Sequence, residues 1–335
     1  MSTQEKSRVF RASEGIAHAV FVMIGIGSLL ESIGKIFHFE SLMTIGLSTK
    51  LLMAPAIGAG IAVLLGSSTL IIFSAMAAAI IGSGALLMVD TAMTIKMGEP
   101  VGALLSALVA ILIGKAVQGK TKLDLMVVPL FAILISGLVG LYLSKWISPI
   151  LIAVGNFIKG STEGSPIIAS IVLAVVWGIL IVSPASSAAL AIALNLDGLA
   201  GGAALAGCAA QFVGLAVISA RENDPGSILG LLIITPKLQL PNVTRNIRIL
   251  IPTIVASAVA GPISAFLFHI EAPKEIAGLG LCALVAPMNL LATYGSAVII
   301  PMIVTYILVP GIVSYIVYIF LKQANMIKTG ELKIL

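Results

Sequence analysis

The run 198–220, GLAGGAALAGCAAQFVGLAVISA, contains no charged side chain. At a rise of about 1.5 Å per residue, about 20 apolar residues cross the roughly 30 Å hydrocarbon core of a bilayer. Gly and Ala dominate the run, so neighbouring helices can approach its backbone closely, as helices do inside a membrane bundle. The stretch therefore reads as a membrane span packed among others.

The same pattern recurs along the chain. Candidate spans fall at 14–36, 50–66, 68–89, 99–117, 123–144, 165–183, 198–220, 226–243, 247–269 and 298–321. This predicts an all-α polytopic membrane protein of about ten transmembrane helices. Composition agrees: 59% of residues are hydrophobic and only 10% charged, with a mean hydropathy of +1.16, against about 25% charged in a soluble domain. A soluble chain of this length needs a polar shell that this one lacks.

The net charge of +5 does not point to nucleic acid, because Lys and Arg are thinly spread over short connectors. They fit membrane orientation better. With the N-terminus in the cytoplasm, the inner side receives Lys6, Arg8, Arg11, Lys115, Lys120, Lys122, Arg245, Arg248, Lys322, Lys328 and Lys333, so a multi-pass protein of the cell membrane with both termini cytoplasmic is expected. The first apolar run is longer than a signal-peptide core and is not closed by a small-x-small site, which predicts an uncleaved span. Cys208 and Cys282 lie in apolar runs and read as packing residues. His18, His38 and His269 lack helical-spacing partners, so no metal site is expected. No cofactor is implied either: glycine pairs such as Gly25 and Gly27 lack the strand-turn-helix setting of a nucleotide site.

Three interruptions in the second half carry the functional reading. They are Ser183-Pro184-Ala185-Ser186-Ser187, leading to Asn195 and Asp197; Thr235-Pro236-Lys237-Leu238-Gln239-Leu240-Pro241-Asn242; and Ala286-Pro287-Met288-Asn289, followed by Thr293-Tyr294-Gly295. In lipid, non-helical backbone survives only where it lines a cavity or is buried in protein. Paired broken segments are a sequence pointer to a transporter's substrate site, although a proline can also simply kink a helix.

The run TPKLQLPNVTRNIRILIPTIVASAVAGPI, residues 235–263, resembles enzyme IIC membrane subunits of the bacterial phosphotransferase system, in the perfringolysin O regulator-like branch. Leu240-Pro241-Asn242, Arg245-Asn246, Ile251-Pro252-Thr253 and Ala260-Gly261-Pro262-Ile263 carry the likeness. The resemblance implies an N-terminal bundle that mediates homodimer contacts and a C-terminal substrate domain with two re-entrant hairpins, matching 183–197 and 280–297. The expected division is thus a bundle over 1–144, an interfacial amphipathic linker over 145–164 containing Trp146 and Asn156, and a substrate domain over 165–335. Sugar-handling members carry a Gly-Ile-Thr-Glu-Pro motif in the second hairpin and a catalytic His. Here that hairpin reads LCALVAPMNLLATYG; His269 and Glu271 fall in a connector, and Gly98-Glu99-Pro100 is in the other half. No phosphoacceptor or catalytic constellation is readable on the chain.

Candidate substrate-binding residues are Ser183, Ser186, Ser187, Asn195, Asp197, Gln211, Thr235, Lys237, Gln239, Asn242, Asn289 and Thr293, with Trp177 and Tyr294 as nearby aromatics. Hydroxyls and amides with few rings suit a small polar solute such as a sugar, polyol or small organic acid. Asp197 reads equally as a ligand and as a helix cap before Gly198. Lys237 reads as facing an anionic ligand or as snorkelling to the interface. Glu31 is paired with Lys35 by helical spacing, and Asp90 sits near a membrane edge. Three readings stand: a homodimeric carrier working by alternating access, a membrane sensor that binds without transporting, and a permease dependent on separate soluble phosphotransferase or regulatory partners.

Overall fold

The computed structural model describes residues 3–89, 92–183 and 185–334. Asp90 and Pro184, both singled out above, lie outside the described residues. The chain divides into two compact units: residues 1–34, 39–154 and 192–194 form one, and 35–38, 155–191 and 195–335 form the other.

The run that opened the sequence reading is the helix Gly198–Ser219, the core of the second unit. Being apolar on all faces, it is suited to burial on all faces, and 94% of its most apolar window is inside the protein. Three helices surround it: Pro166–Val182, Ile251–Pro262 and Val309–Gln323. The glycines explain how closely they come. A Cβ on Gly207 would lie 1.9 Å from the carbonyl oxygen of Ala174, and one on Gly202 would lie 1.8 Å from that of Ile270. No side chain fits at either place.

Among the described residues, six helices are long and apolar enough to span a bilayer: Arg11–Ile36, Pro100–Val117, Asp124–Tyr142, Gly198–Ser219, Ile247–Leu267 and Cys282–Gln323. The pair Glu40–Leu51 and Met53–Leu64, bent by 56°, makes a seventh if taken as one broken span. Against the expected ten or so, length and composition support six or seven spans. An apolar run registers in hydropathy whether or not its backbone stays helical, and several runs here do not. The run 226–243 is divided at Thr235 into a helix Pro225–Leu229 continued by a π-turn to Ile234, then the 3₁₀ turn Pro236–Gln239 and the short helix Leu240–Arg245. The run 50–66 supplies one arm of the bent pair. The helices Thr69–Gly82 and Ile167–Val182 are apolar but shorter than the others.

The run 68–89 also holds the first strand of the only strand pair among the described residues. Its helix ends at Ser83 and Gly84, the latter at φ +63°, and an antiparallel ribbon follows, Leu86–Val89 paired with Ala92–Ile95. The segment expected as an interfacial linker over 145–164 continues the helix Asp124–Gly164, which runs unbroken for 41 residues with Pro129 and Pro149 inside it.

In the first unit, Gly98-Glu99-Pro100 starts a helix. The Glu99 carboxylate accepts from the backbone N–H of Val101 and Gly102, both at 2.6 Å, and Pro100 fills the first helical position, where no N–H is needed. Lys50 donates to the buried carboxylate of Glu31, so the charge at Glu31 is matched from the following helix. Such pairing is what makes an ionised group tolerable at this depth.

Candidate functional site

Three backbone breaks meet within the second unit through main-chain carbonyls; the third falls before the expected Ala286-Pro287, which lies inside the helix Val285–Tyr294, at Gly278 to Leu284. Wherever a helix breaks, carbonyls lose their partners four residues on, and away from water each must find another donor. The carbonyl of Ala185, in the first break, accepts from the Lys237 ammonium at 2.9 Å. The carbonyl of Ile234, where the second break begins, accepts from the Cys282 thiol at 3.0 Å. The carbonyl of Gly278, at the start of the third break, accepts from the Ser187 hydroxyl at 2.8 Å. Each interruption thus lends a side chain to the bare backbone of another.

Local chemistry sets these positions. Ser183 closes the helix Pro166–Val182 by donating back to the Leu180 carbonyl at 2.8 Å, and it accepts from the Ala185 N–H. Ser186 accepts from the Ala189 N–H and so starts the short helix Ser187–Ala193. The Trp177 indole donates to the Ser187 carbonyl at 3.2 Å, which seats that helix against Pro166–Val182. Thr235 accepts from the Lys237 N–H and starts the 3₁₀ turn that presents the lysine. A Cβ on Gly278 would lie 2.4 Å from the Ser187 oxygen, so glycine is what allows the two breaks to touch.

Two adjacent strained residues lie here too. Ala283 (φ +46°) and Leu284 (φ +56°) both sit in the left-handed region between Cys282 and the helix Val285–Tyr294. For residues with a Cβ this costs about 1–2 kcal/mol each. Strain of this kind persists where surrounding structure enforces it, and it clusters at ligand clamps and switch regions. The start of the Val285–Tyr294 helix carries no side-chain cap.

The twelve candidate residues fall into groups. Ser183, Ser186, Ser187, Thr235 and Lys237 belong to the meeting of the breaks. Asn289 and Thr293 lie one turn apart on Val285–Tyr294, with the Thr293 hydroxyl donating to the Asn289 carbonyl at 2.8 Å. Asn195 and Asp197 hold the far end of the first hairpin. The Asn195 side-chain oxygen accepts from the Lys274 ammonium at 2.5 Å, and the Asp197 carboxylate accepts from the Lys274 N–H at 2.8 Å. Tyr294 donates to the Glu271 carbonyl in the same region.

Gln211 is fully buried at a helix crossing. Its oxygen accepts from Thr253 at 2.7 Å and its amide donates to Ser257 at 3.2 Å, while Ser257 donates to the Gly207 carbonyl. This closed network joins Gly198–Ser219 to Ile251–Pro262.

Gln239 and Asn242 are occupied by the segment that follows the last helix, residues 324–334. Gln239 donates to the Leu332 carbonyl at 2.8 Å, and Asn242 donates to the Lys333 carbonyl at 2.9 Å and to Gln239. Nothing in the sequence reading anticipated this strap. Nor did it single out Cys282 or Gly278 as parts of the site: a thiol in an apolar run and a glycine in a connector carry no signal until the backbone opposite them is known. Among the described residues, no three His, Cys, Asp or Glu side chains gather as a metal-binding group.

No curated protein and no solved structure matches the chain. A family does: the one described as Phosphotransferase system, EIIC matches residues 10–334, nearly the whole length, and with it the motif at 235–263. This multi-pass membrane protein belongs to the enzyme IIC family of the phosphotransferase system.

Proposed function

We propose that the protein carries a small polar solute, a sugar, polyol or small organic acid, across the cell membrane by alternating access of its second unit. The observation that carries this reading is the exchange of donors among the three breaks: Lys237 on Ala185, Cys282 on Ile234 and Ser187 on Gly278. Bare carbonyls and the groups covering them match the donors and acceptors of a polyhydroxylated solute, which can replace one partner at a time. The lysine adds a cation suited to an anionic member of that class.

On this reading the first unit mediates homodimer contacts, both termini are cytoplasmic, and the chain falls in the perfringolysin O regulator-like branch, for which 235–263 is the support. The hairpin at 280–297 lacks the sugar-site glutamate motif. Movement of the solute is therefore separate from its phosphorylation, and any phosphoryl transfer depends on other chains.

Reconstituted liposomes screened with labelled sugars, polyols and small organic acids test the proposal. Saturable uptake of at least one unmodified solute is expected. Saturable binding without uptake would replace the carrier reading with that of a membrane sensor, and neither binding nor uptake would overturn both.

A further inference from the structure

We propose that Glu222, Asn223, Gln239, Asn242 and Asn246 form a receptor groove occupied by the chain's own residues 326–334, and that docking of this strap locks the meeting of the breaks. The recognition is almost wholly main-chain. The Asn223 amide donates to the Leu332 carbonyl at 2.9 Å, and its oxygen accepts from the Ile334 N–H at 2.7 Å. Glu222 accepts from the Leu332 N–H at 3.0 Å. Gln239 and Asn242 take the carbonyls of Leu332 and Lys333. Asn246 donates to the Met326 carbonyl at 3.0 Å and to the Glu331 carboxylate at 2.8 Å. Ile327 and Leu332 are buried as apolar anchors. The strap folds as a turn, with the Glu331 N–H donating to the Lys328 carbonyl at 3.2 Å, and the groove's amides and carboxylate take the main-chain groups that this turn leaves without partners.

The strap bears on the site through one short turn. Gln239, which holds Leu332, ends the four-residue 3₁₀ turn whose second residue is Lys237. Just before that turn lies Ile234, on which Cys282 rests. Fixing Gln239 therefore fixes Lys237 on Ala185 and Ile234 under Cys282. Docking also has a built-in weakness: the second carboxylate oxygen of Glu222 is buried without a hydrogen-bond partner. Burying an unsatisfied acceptor opposes docking, and release would rehydrate it. The strap is accordingly a reversible lock on the second break. The inference does not depend on transport, because its test reads the reactivity of Cys282.

The test uses the full chain, as wild type, as the groove variant Asn223→Ala with Asn242→Ala, and as the strap variant Leu332→Asp. Two rates are read: maleimide labelling of Cys282 against the fully buried Cys208, and limited proteolysis after Lys328. Both variants are expected to speed cleavage and to speed Cys282 labelling about tenfold or more, as when a minor open state becomes the major one, while Cys208 stays unlabelled. Faster cleavage with unchanged Cys282 labelling would break the link between strap and site. Cleavage unchanged in both variants would show that these groups do not hold the strap. Labelling of Cys208 together with Cys282 would reduce the strap to general structural support.

Discussion

The Lys237 ammonium lies 2.9 Å from the carbonyl oxygen of Ala185, joining two helix breaks separated by about fifty residues of sequence. Desolvated ammonium groups are costly unless they are partnered, so this contact is worth more than its single hydrogen bond suggests. Replacing Lys237 by Met keeps the aliphatic stem and leaves the carbonyl bare. Hydrogen bonds to charged groups contribute about 1.5–3 kcal/mol, so Lys237→Met should slow uptake about tenfold or more. Thermal unfolding in detergent should shift downward by the same order, and uptake at a temperature well below the midpoint separates the two effects.

Gln211 is a candidate ligand by sequence, and in the structure its side chain accepts from Thr253 and donates to Ser257. Interhelical hydrogen bonds in membrane proteins contribute about 0.6 kcal/mol on average and up to about 1.7. Gln211→Leu should lower stability by that order while leaving the solute concentration for half-maximal uptake unchanged. An intact fold with a large rise in that concentration would return Gln211 to the solute site.

Glycine spacing makes a prediction with an internal control. Gly207→Ala places a Cβ 1.9 Å from the Ala174 carbonyl, whereas a Cβ at Gly137 would meet only the end of Ile81 at 3.6 Å. Overpacking of the first kind costs about 1–3 kcal/mol. Thermal melting in detergent should show a clear loss for Gly207→Ala and almost none for Gly137→Ala.

The strap should respond to acid in a definite direction. Glu331 accepts from the Lys328 N–H and from Asn246, and these bonds, the backbone one first, hold its carboxyl below the ordinary 4.5. A depressed acid stabilises docking fully above its unperturbed value and loses that contribution as pH falls through the lowered one. Strap release should therefore begin only below about pH 4.5, the free-carboxyl range. An environment-sensitive probe on Thr329→Cys would follow it, and Glu331→Gln should flatten the response. Partial exposure of Glu331 to solvent keeps the effect small.

Much of the membrane architecture is legible in the chain because apolar length and small-residue content are local properties. The helix Gly198–Ser219 follows directly from them, and the break at Thr235 is marked by Pro236; Pro287, by contrast, lies inside the helix Val285–Tyr294, and the break falls before it at Ala283 and Leu284. The number of spans is less legible, because hydropathy does not register the left-handed turn at Gly84 or the π and 3₁₀ turns between Gly230 and Gln239. The partners of the polar residues are not legible at all. Gln239 and Asn242 announce a need for hydrogen bonds, but their acceptors at Leu332 and Lys333 lie about ninety residues further on. Lys237 posed the same problem, since the choice between ligand, lipid surface and a backbone carbonyl depends on the fold around it.

The most direct test of the central claim is protection of Cys282, whose thiol covers the Ile234 carbonyl where the second and third breaks meet. Maleimide labelling of the reconstituted protein is measured with and without each compound of the uptake panel. The compound that is taken up should slow Cys282 labelling, with half-protection near the concentration that half-saturates its uptake. Unchanged labelling at saturating solute would place the solute elsewhere and contradict the account.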